Sequence, residues 1–212
     1  MTADINPVNV TVLIAFTSGL MLLDKHKFKH RVLLAILAVM MATEIMFIAA
    51  RYVGFESGKF VTYSIIMTFA LWLMILGRAF GILNYIWYFM VFFGSLSIIN
   101  LVLIEGTGRF NYNTFILGSL IYLGILFFNS FRRLKREEED FFLSNDFLLA
   151  CSPVLLFFGL SLIFAFKDLK IGDYPIYDGL NLYDLLISLM NLSYYWLIIL
   201  YIVREYKLRN AK

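Results

Sequence analysis

Seven long hydrophobic runs occupy most of the 212-residue sequence. An α-helix needs about 20 apolar residues to cross the roughly 30 Å hydrocarbon core of a bilayer. Backbone polar groups in lipid must pair within the protein, and the alternating segments of a transmembrane barrel are absent from this sequence. We therefore predict an all-α polytopic membrane protein with a single domain, residues 1–212. The predicted spans are 7–23, 32–50, 61–77, 80–104, 112–131, 147–166 and 183–203.

The amino-acid composition limits the kinds of molecule that the protein is expected to bind. Hydrophobic residues make up 61% of the chain, against about 45–50% in a soluble domain. The formal net charge is only +3, and the basic residues lie at the ends of the predicted helices. A nucleic-acid-binding function therefore has little support. Membrane lipid and another membrane or cytoplasmic protein are the expected partners.

Lysine and arginine predict the orientation of the chain. Of the 18 such residues, 13 lie in the first, third and fifth connections and at the C-terminus. Cytoplasmic loops carry an excess of these residues. We therefore expect the N-terminus outside and the C-terminus in the cytoplasm, with the protein integral to a bacterial inner membrane. Positive charge follows the first run rather than preceding it, which favours a retained span over a cleaved signal peptide.

Polar residues inside the spans predict a ligand or ion pocket in the outer half of the bundle. Glu44 lies well inside span two, and a charged side chain near the bilayer centre costs about 2.5–3.5 kcal/mol on insertion scales. We therefore expect Glu44 to face protein and to have a polar partner from span three or span seven. The predicted pocket comprises Glu44, Thr68, Ser161, Asp184, Ser188 and Asn191. The alternative interpretation is interhelical hydrogen bonding that only holds the bundle together.

The fifth connection is a candidate partner surface. Its first half is rich in good helix formers and predicts that the fifth helix extends about 10 residues beyond the membrane. The predicted surface comprises Arg132, Arg133, Lys135, Arg136, Glu137, Glu138, Glu139 and Asp140. A topology signal followed by a solvated helix is the simpler interpretation of the same charges.

The sequence lacks the residues that two kinds of seven-helix protein, retinal-binding and zinc-dependent, need for their chemistry. Span seven has no lysine for a retinal Schiff base before its cytoplasmic end. His26 and His30 lie four positions apart in a basic loop, with no acidic residue placed to complete a zinc site. We interpret the histidine pair as part of the topology signal. No catalytic residue, metal or cofactor is predicted, and the chain is not expected to be an enzyme.

Three stretches carry a resemblance to a known group. They read ILAVMMATEIMFIAARY in span two, NTFILGSLIYLGILFFNSF in span five and FFLSNDFLLACSPVLLFFGLSLIFAF at span six. Together they resemble small uncharacterised seven-helix membrane proteins of the Bacteroidota, in which an acid in span two is common. The resemblance implies the seven-helix architecture and a connection with membrane signalling.

Three functions remain open at this point. The first is a non-enzymatic sensory or accessory subunit that acts through a partner at its cytoplasmic face. The second is a small-solute or proton-coupled transporter that uses Glu44 and would need a water path and broken helices. The third is a structural subunit of a larger membrane complex.

Overall fold

The computed structural model describes residues 7–54, 58–106, 110–169, 174–177 and 180–211. Its helices are α1 (Pro7–Leu22), α2 (Phe28–Val53), α3 (Gly58–Phe80), α4 (Leu83–Ile99), α5 (Tyr112–Leu134), α6 (Glu139–Phe142), α7 (Asn145–Cys151), α8 (Val154–Ala165) and α9 (Leu182–Asn210). A π-helical turn, Asn100–Ile104, continues α4, and a 3₁₀ turn, Lys167–Leu169, follows α8. Before α9, strands β1 (Pro175–Tyr177) and β2 (Leu180–Asn181) form an antiparallel hairpin.

Six segments of the described chain are long and apolar enough to cross a membrane. They are Phe28–Ala50, Phe60–Phe80, Leu83–Ile104, Tyr112–Leu134, Asn145–Ala165 and Leu182–Asn210. Helix α1 is apolar but has only 16 residues, which is about 24 Å at 1.5 Å per residue. The predicted all-α membrane fold agrees with this structure, whereas the seventh span and the orientation stay predictions.

The turn between α3 and α4 lies further along the chain than the predicted spans placed it. Helix α3 continues to Phe80, past the predicted end of span three at residue 77, and only Gly81 and Ile82 separate it from α4. Gly81 has a φ of 71°, a left-handed conformation that glycine adopts without a steric penalty. The Ile82 N–H then donates to the Gly77 carbonyl at 2.8 Å. The two helices are therefore held as an antiparallel hairpin.

The predicted sixth span is broken at Ser152 and Pro153, where α7 ends and α8 begins. Proline has no N–H to donate to the carbonyl four residues back, which here is Leu149. The Ser152 hydroxyl donates to that carbonyl at 2.8 Å, and the Tyr122 hydroxyl donates to the Ala150 carbonyl at 2.7 Å. Side-chain hydroxyls thus replace backbone donors at the break.

An aromatic layer fills the middle of the bundle. Trp72, Tyr122 and Tyr194 are fully buried. The indole N–H of Trp72 donates to the Tyr194 hydroxyl at 3.2 Å, so both polar tips are satisfied.

Helix α3 contacts α2, α4, α5 and α7, while α9 contacts α1, α7 and α8. Helices α3 and α9 therefore pack against most of the other helices of the bundle.

The bundle has two ends that differ in their content of lysine and arginine. The basic end carries the connections 23–27, 81–82 and 135–144 and the C-terminal end of α9. The opposite end carries the start of α1, the α4–α5 and α8–α9 connections and the start of α9.

Candidate functional site

A cavity of about 860 Å³ lies at the opposite end, between the start of α1 and helices α2, α3, α8 and α9. Its polar lining consists of Asn9, Thr43, Glu44, Ser188 and Asn191. Its aromatic lining consists of Phe47, Phe110, Phe115, Phe164 and Tyr183. A largely apolar pocket of this size with a few convergent polar groups is the usual form of a small-molecule site.

Helix α2 places Glu44 on the wall of this cavity. The side chain is partly buried. Ser188 and Asn191 reach the same cavity from α9. Glu44 therefore lines the same cavity as two polar residues of α9. Its expected polar partner from span three or span seven stays a prediction.

Two polar side chains of the lining donate a hydrogen bond to a backbone carbonyl of their own helix. The Thr43 hydroxyl donates to the Val39 carbonyl at 2.8 Å. The Asn191 side-chain N–H donates to the Ile187 carbonyl at 2.9 Å. Their oxygens remain as acceptors at the cavity wall, since a hydroxyl and an amide each carry lone pairs on oxygen.

The other three predicted pocket residues lie elsewhere. Thr68 lines a smaller cavity of about 70 Å³, which shares Thr43 and several apolar walls with the larger one. Ser161 is buried on α8 but lines neither cavity. Asp184 is exposed in the first turn of α9 and does not line the larger cavity. The polar stripe of α9 thus reaches the cavity only from Ser188 inward.

Sequence reasoning missed the aromatic part of the lining. Phe110 lies at the end of a connection, Tyr183 lies in the first turn of α9, and Phe47 and Phe164 lie near helix ends. In a chain that is 18% aromatic, such positions are typical of the membrane interface. Thr43 could have been predicted from the sequence, because it is a polar residue inside span two that directly precedes Glu44.

A second cluster, at the basic end, was also missed. Glu205 of α9 lies 3.1 Å from Lys27 Nζ, 3.5 Å from Lys29 Nζ and 3.3 Å from His30 Nε2. The Asn145 amide donates to its other oxygen at 3.1 Å. We call Lys27, Lys29, His30, Asn145 and Glu205 the Glu205 cluster.

The cluster revises the interpretation of the histidine pair. His30 is 1% exposed, its Nδ1 lies 2.9 Å from the Asp24 carbonyl, and its ring packs against Tyr201. It is therefore a packed residue that joins α2 to α9, as well as part of a basic loop. Asp24 lies partly buried beside it, and the backbone N–H of His26 lowers the pKa of the Asp24 carboxyl.

The predicted partner surface differs from the expectation. Helix α5 ends at Leu134, and Glu137 takes a left-handed φ of 57°, so the chain turns back into α6 instead of extending 10 residues as one helix. The Arg133 guanidinium donates to Glu138 at 2.7 Å and lies 4.0 Å from the centre of the Phe141 ring. These contacts explain the turn and leave Arg133 and Glu138 only partly exposed. The remaining exposed charges are Arg132, Lys135, Arg136, Glu137, Glu139 and Asp140.

Comparisons with known proteins give no relative for this chain. No protein family, no curated protein and no solved structure matches it. Within the described residues, no group of three or more His, Cys, Asp or Glu side chains is arranged to hold a metal ion. The cavity and the Glu205 cluster are therefore the two features from which the function is inferred.

Proposed function

We propose that this protein is a non-enzymatic sensory or accessory subunit of the inner membrane, with seven spans and its N-terminus outside. A small molecule would bind in the cavity, and the bound state would be passed to a partner at the basic end, which faces the cytoplasm. The excess of lysine and arginine at that end supports the orientation.

One observation supports signalling more than any other. The same two helices, α2 and α9, form both the cavity wall and the Glu205 cluster. Glu44 and His30 lie 14 positions apart on α2, and Asn191 and Glu205 lie 14 positions apart on α9. At helical rise each pair is separated by about 21 Å.

This arrangement gives a physical route for coupling. A ligand that bridges Glu44 and Asn191 favours one relative position of α2 and α9. A ligand shifts a conformational equilibrium by its difference in affinity for the two states. The ion pairs of the Glu205 cluster depend on the same relative position, so their geometry changes with the bound state. The neighbouring exposed charges then present a different surface to the partner.

The partner surface is tested by reversing charge. Glu137, Glu139 and Asp140 are changed together to lysine, and Glu138 is left intact because it pairs with Arg133. The folded state should be unchanged, since exposed substitutions usually alter stability by no more than about 0.5 kcal/mol. Proteins that co-purify with the wild-type chain in mild detergent should be lost, whereas Asp184→Lys at the opposite end should retain them. Retention of every partner by the triple variant would contradict the proposal.

The topology is tested by labelling single cysteines in a Cys151→Ser background. A membrane-impermeant maleimide should modify Ile176→Cys in intact cells. It should modify Lys25→Cys and Glu139→Cys only after the membrane is opened. The reverse pattern would overturn the orientation.

A proton-coupled transporter is the second candidate. Two features favour it: the break of the sixth span at Ser152 and Pro153, and the π-helical turn Asn100–Ile104 at the end of the fourth. Broken helices near a cavity are a common property of transporters. If Glu44→Gln abolished the uptake of a solute while the triple charge reversal kept every partner, the transporter would replace the sensory subunit as the better proposal.

A further inference from the structure

Helix α3 places a buried hydroxyl at the wall of the smaller cavity. Thr68 is 4% exposed and lines this cavity, and its hydroxyl has no hydrogen-bond partner among the described residues. Buried hydroxyl groups are usually paired, because removal from water without a partner costs free energy. A polar atom of a ligand in the smaller cavity would therefore gain a hydrogen bond from Thr68 that the chain itself leaves unmade.

Two other buried threonines of the bundle differ from Thr68. Thr62 lies six positions earlier on α3, and its hydroxyl donates to the Gly58 carbonyl at 3.1 Å. The Thr43 hydroxyl of α2 donates to the Val39 carbonyl at 2.8 Å. Each of these bonds reaches the carbonyl four residues earlier, which satisfies a threonine within its own helix. Thr68 makes no bond of this kind, so its hydroxyl is available to a ligand.

The size of the smaller cavity limits which group can reach Thr68. The cavity has a volume of about 70 Å³, whereas an apolar cavity of about 150 Å³ holds a benzene ring. A short hydroxyalkyl end therefore fits, and an aromatic ring does not. The smaller cavity shares Met40, Thr43 and Phe115 with the larger cavity of about 860 Å³. The body of the same molecule can thus extend into the larger cavity.

The walls of the smaller cavity exclude a charged group. No Asp, Glu, Lys, Arg or His is among the described residues that line it, and apart from Thr43, Ser64 and Thr68 its walls are apolar. An ion placed there would lose its hydration without a counter-charge at the wall, which is costly. A neutral hydroxyl avoids this cost, and it can both donate and accept a hydrogen bond. The end of the ligand beside Thr68 is therefore neutral and polar.

We propose that the two cavities together bind a neutral lipophilic alcohol, with its hydroxyl at Thr68 and its apolar body among the aromatic side chains of the larger cavity. The body then lies between Phe47 of α2 and Ile187 of α9. This inference rests on the proposed function, since it names the class of molecule that the sensory site takes. It also places that molecule between the two helices that carry the signal.

The test uses the purified full-length chain in lipid nanodiscs and probes of matched shape. They are 4-phenylbutanol, which carries a hydroxyl, pentylbenzene, in which a methyl group replaces the hydroxyl, and 4-phenylbutylamine, which carries a charge. Binding is measured as the rise in the unfolding temperature with probe concentration. The same rise in Ser64→Leu is subtracted, because leucine fills the smaller cavity. The subtraction also removes the effect of probe dissolved in the lipid.

Thr68→Val removes the hydroxyl and keeps the shape of the side chain. It should weaken binding of 4-phenylbutanol about fivefold, through the loss of one net hydrogen bond, and leave binding of pentylbenzene unchanged. The variant should fold, because no hydrogen bond to another described residue is broken. Thr62→Val makes the same chemical change on the same helix outside both cavities. It should leave the affinity for both probes unchanged.

Three results would overturn the inference. The first is an unchanged affinity of Thr68→Val for 4-phenylbutanol. The second is an equal loss of 4-phenylbutanol and pentylbenzene binding in that variant, which would indicate a change in cavity shape. The third is tighter binding of 4-phenylbutylamine than of 4-phenylbutanol that Thr68→Val does not alter, which would place the polar end in the larger cavity. If Ser64→Leu does not fold, the comparison of Thr68→Val with Thr62→Val still decides the result.

The binding measurement needs no partner protein. Failure of the alcohol class therefore leaves the co-purification test standing, and failure of that test leaves alcohol binding standing.

Discussion

Replacement of Gly118 by alanine tests how closely α5 packs against Phe69, which lines the smaller cavity beside Thr68. A Cβ atom at Gly118 of α5 would lie 2.8 Å from two atoms of the Phe69 ring, closer than carbon atoms approach without repulsion. Phe69 is 1% exposed. Its ring lies 4.5 Å from that of Phe157 and 5.4 Å from that of Phe115, so it has little room to retreat.

The same helix offers a matched control. A Cβ atom at Gly124 would meet nothing within 4 Å. Both replacements change a glycine to alanine inside α5, which favours the helix by about 1 kcal/mol in each case. Only Gly118→Ala adds overpacking, which costs typically about 1–3 kcal/mol. The free energy of unfolding should therefore be lower for Gly118→Ala than for Gly124→Ala by about 1–3 kcal/mol.

Reversible unfolding in mixed micelles with increasing sodium dodecyl sulfate measures this difference, with far-ultraviolet circular dichroism as the signal. Equal stability of the two variants would refute the close approach of α5 to Phe69.

Two further substitutions follow from buried polar contacts. Glu205→Gln keeps the size of the side chain but removes its charge from three basic neighbours, so it should lower the free energy of unfolding by about 1–3 kcal/mol. The exposed Glu139→Gln should change it by less than about 0.5 kcal/mol, and a difference below that margin would contradict the role of the cluster. Tyr122→Phe leaves the Ala150 carbonyl at the break without its hydroxyl donor and should cost about 1–2 kcal/mol. The same change at the exposed Tyr88 should have no measurable effect.

The helical segments and part of the site were predictable for one physical reason. Lipid imposes a length and a composition on every span, so hydropathy alone placed the helices. A polar residue inside an apolar run is costly unless it faces protein. That cost singled out Glu44, Ser188 and Asn191, and the structure brings these three to one cavity.

The contacts at the basic end had no comparable signal. Lys27 and Glu205 lie 178 positions apart, and charges are common at helix ends, so nothing in the sequence pairs them. The end of α5 was predicted too far along because local helix propensity ignores tertiary contacts. The attraction of Arg133 to Phe141 and Glu138 reverses the chain where propensity alone would continue the helix.

The buried aromatic layer also determines where an electric field acts once the protein lies in a membrane. Along α9, Tyr194 and Tyr201 separate Asn191 of the cavity from Glu205 of the basic end, and both tyrosines are fully buried. A voltage falls across the region of low dielectric constant rather than across a water-accessible cavity. A charged ligand in the cavity would therefore stay close to the potential of the side on which the cavity opens. Its occupancy would follow concentration rather than membrane voltage.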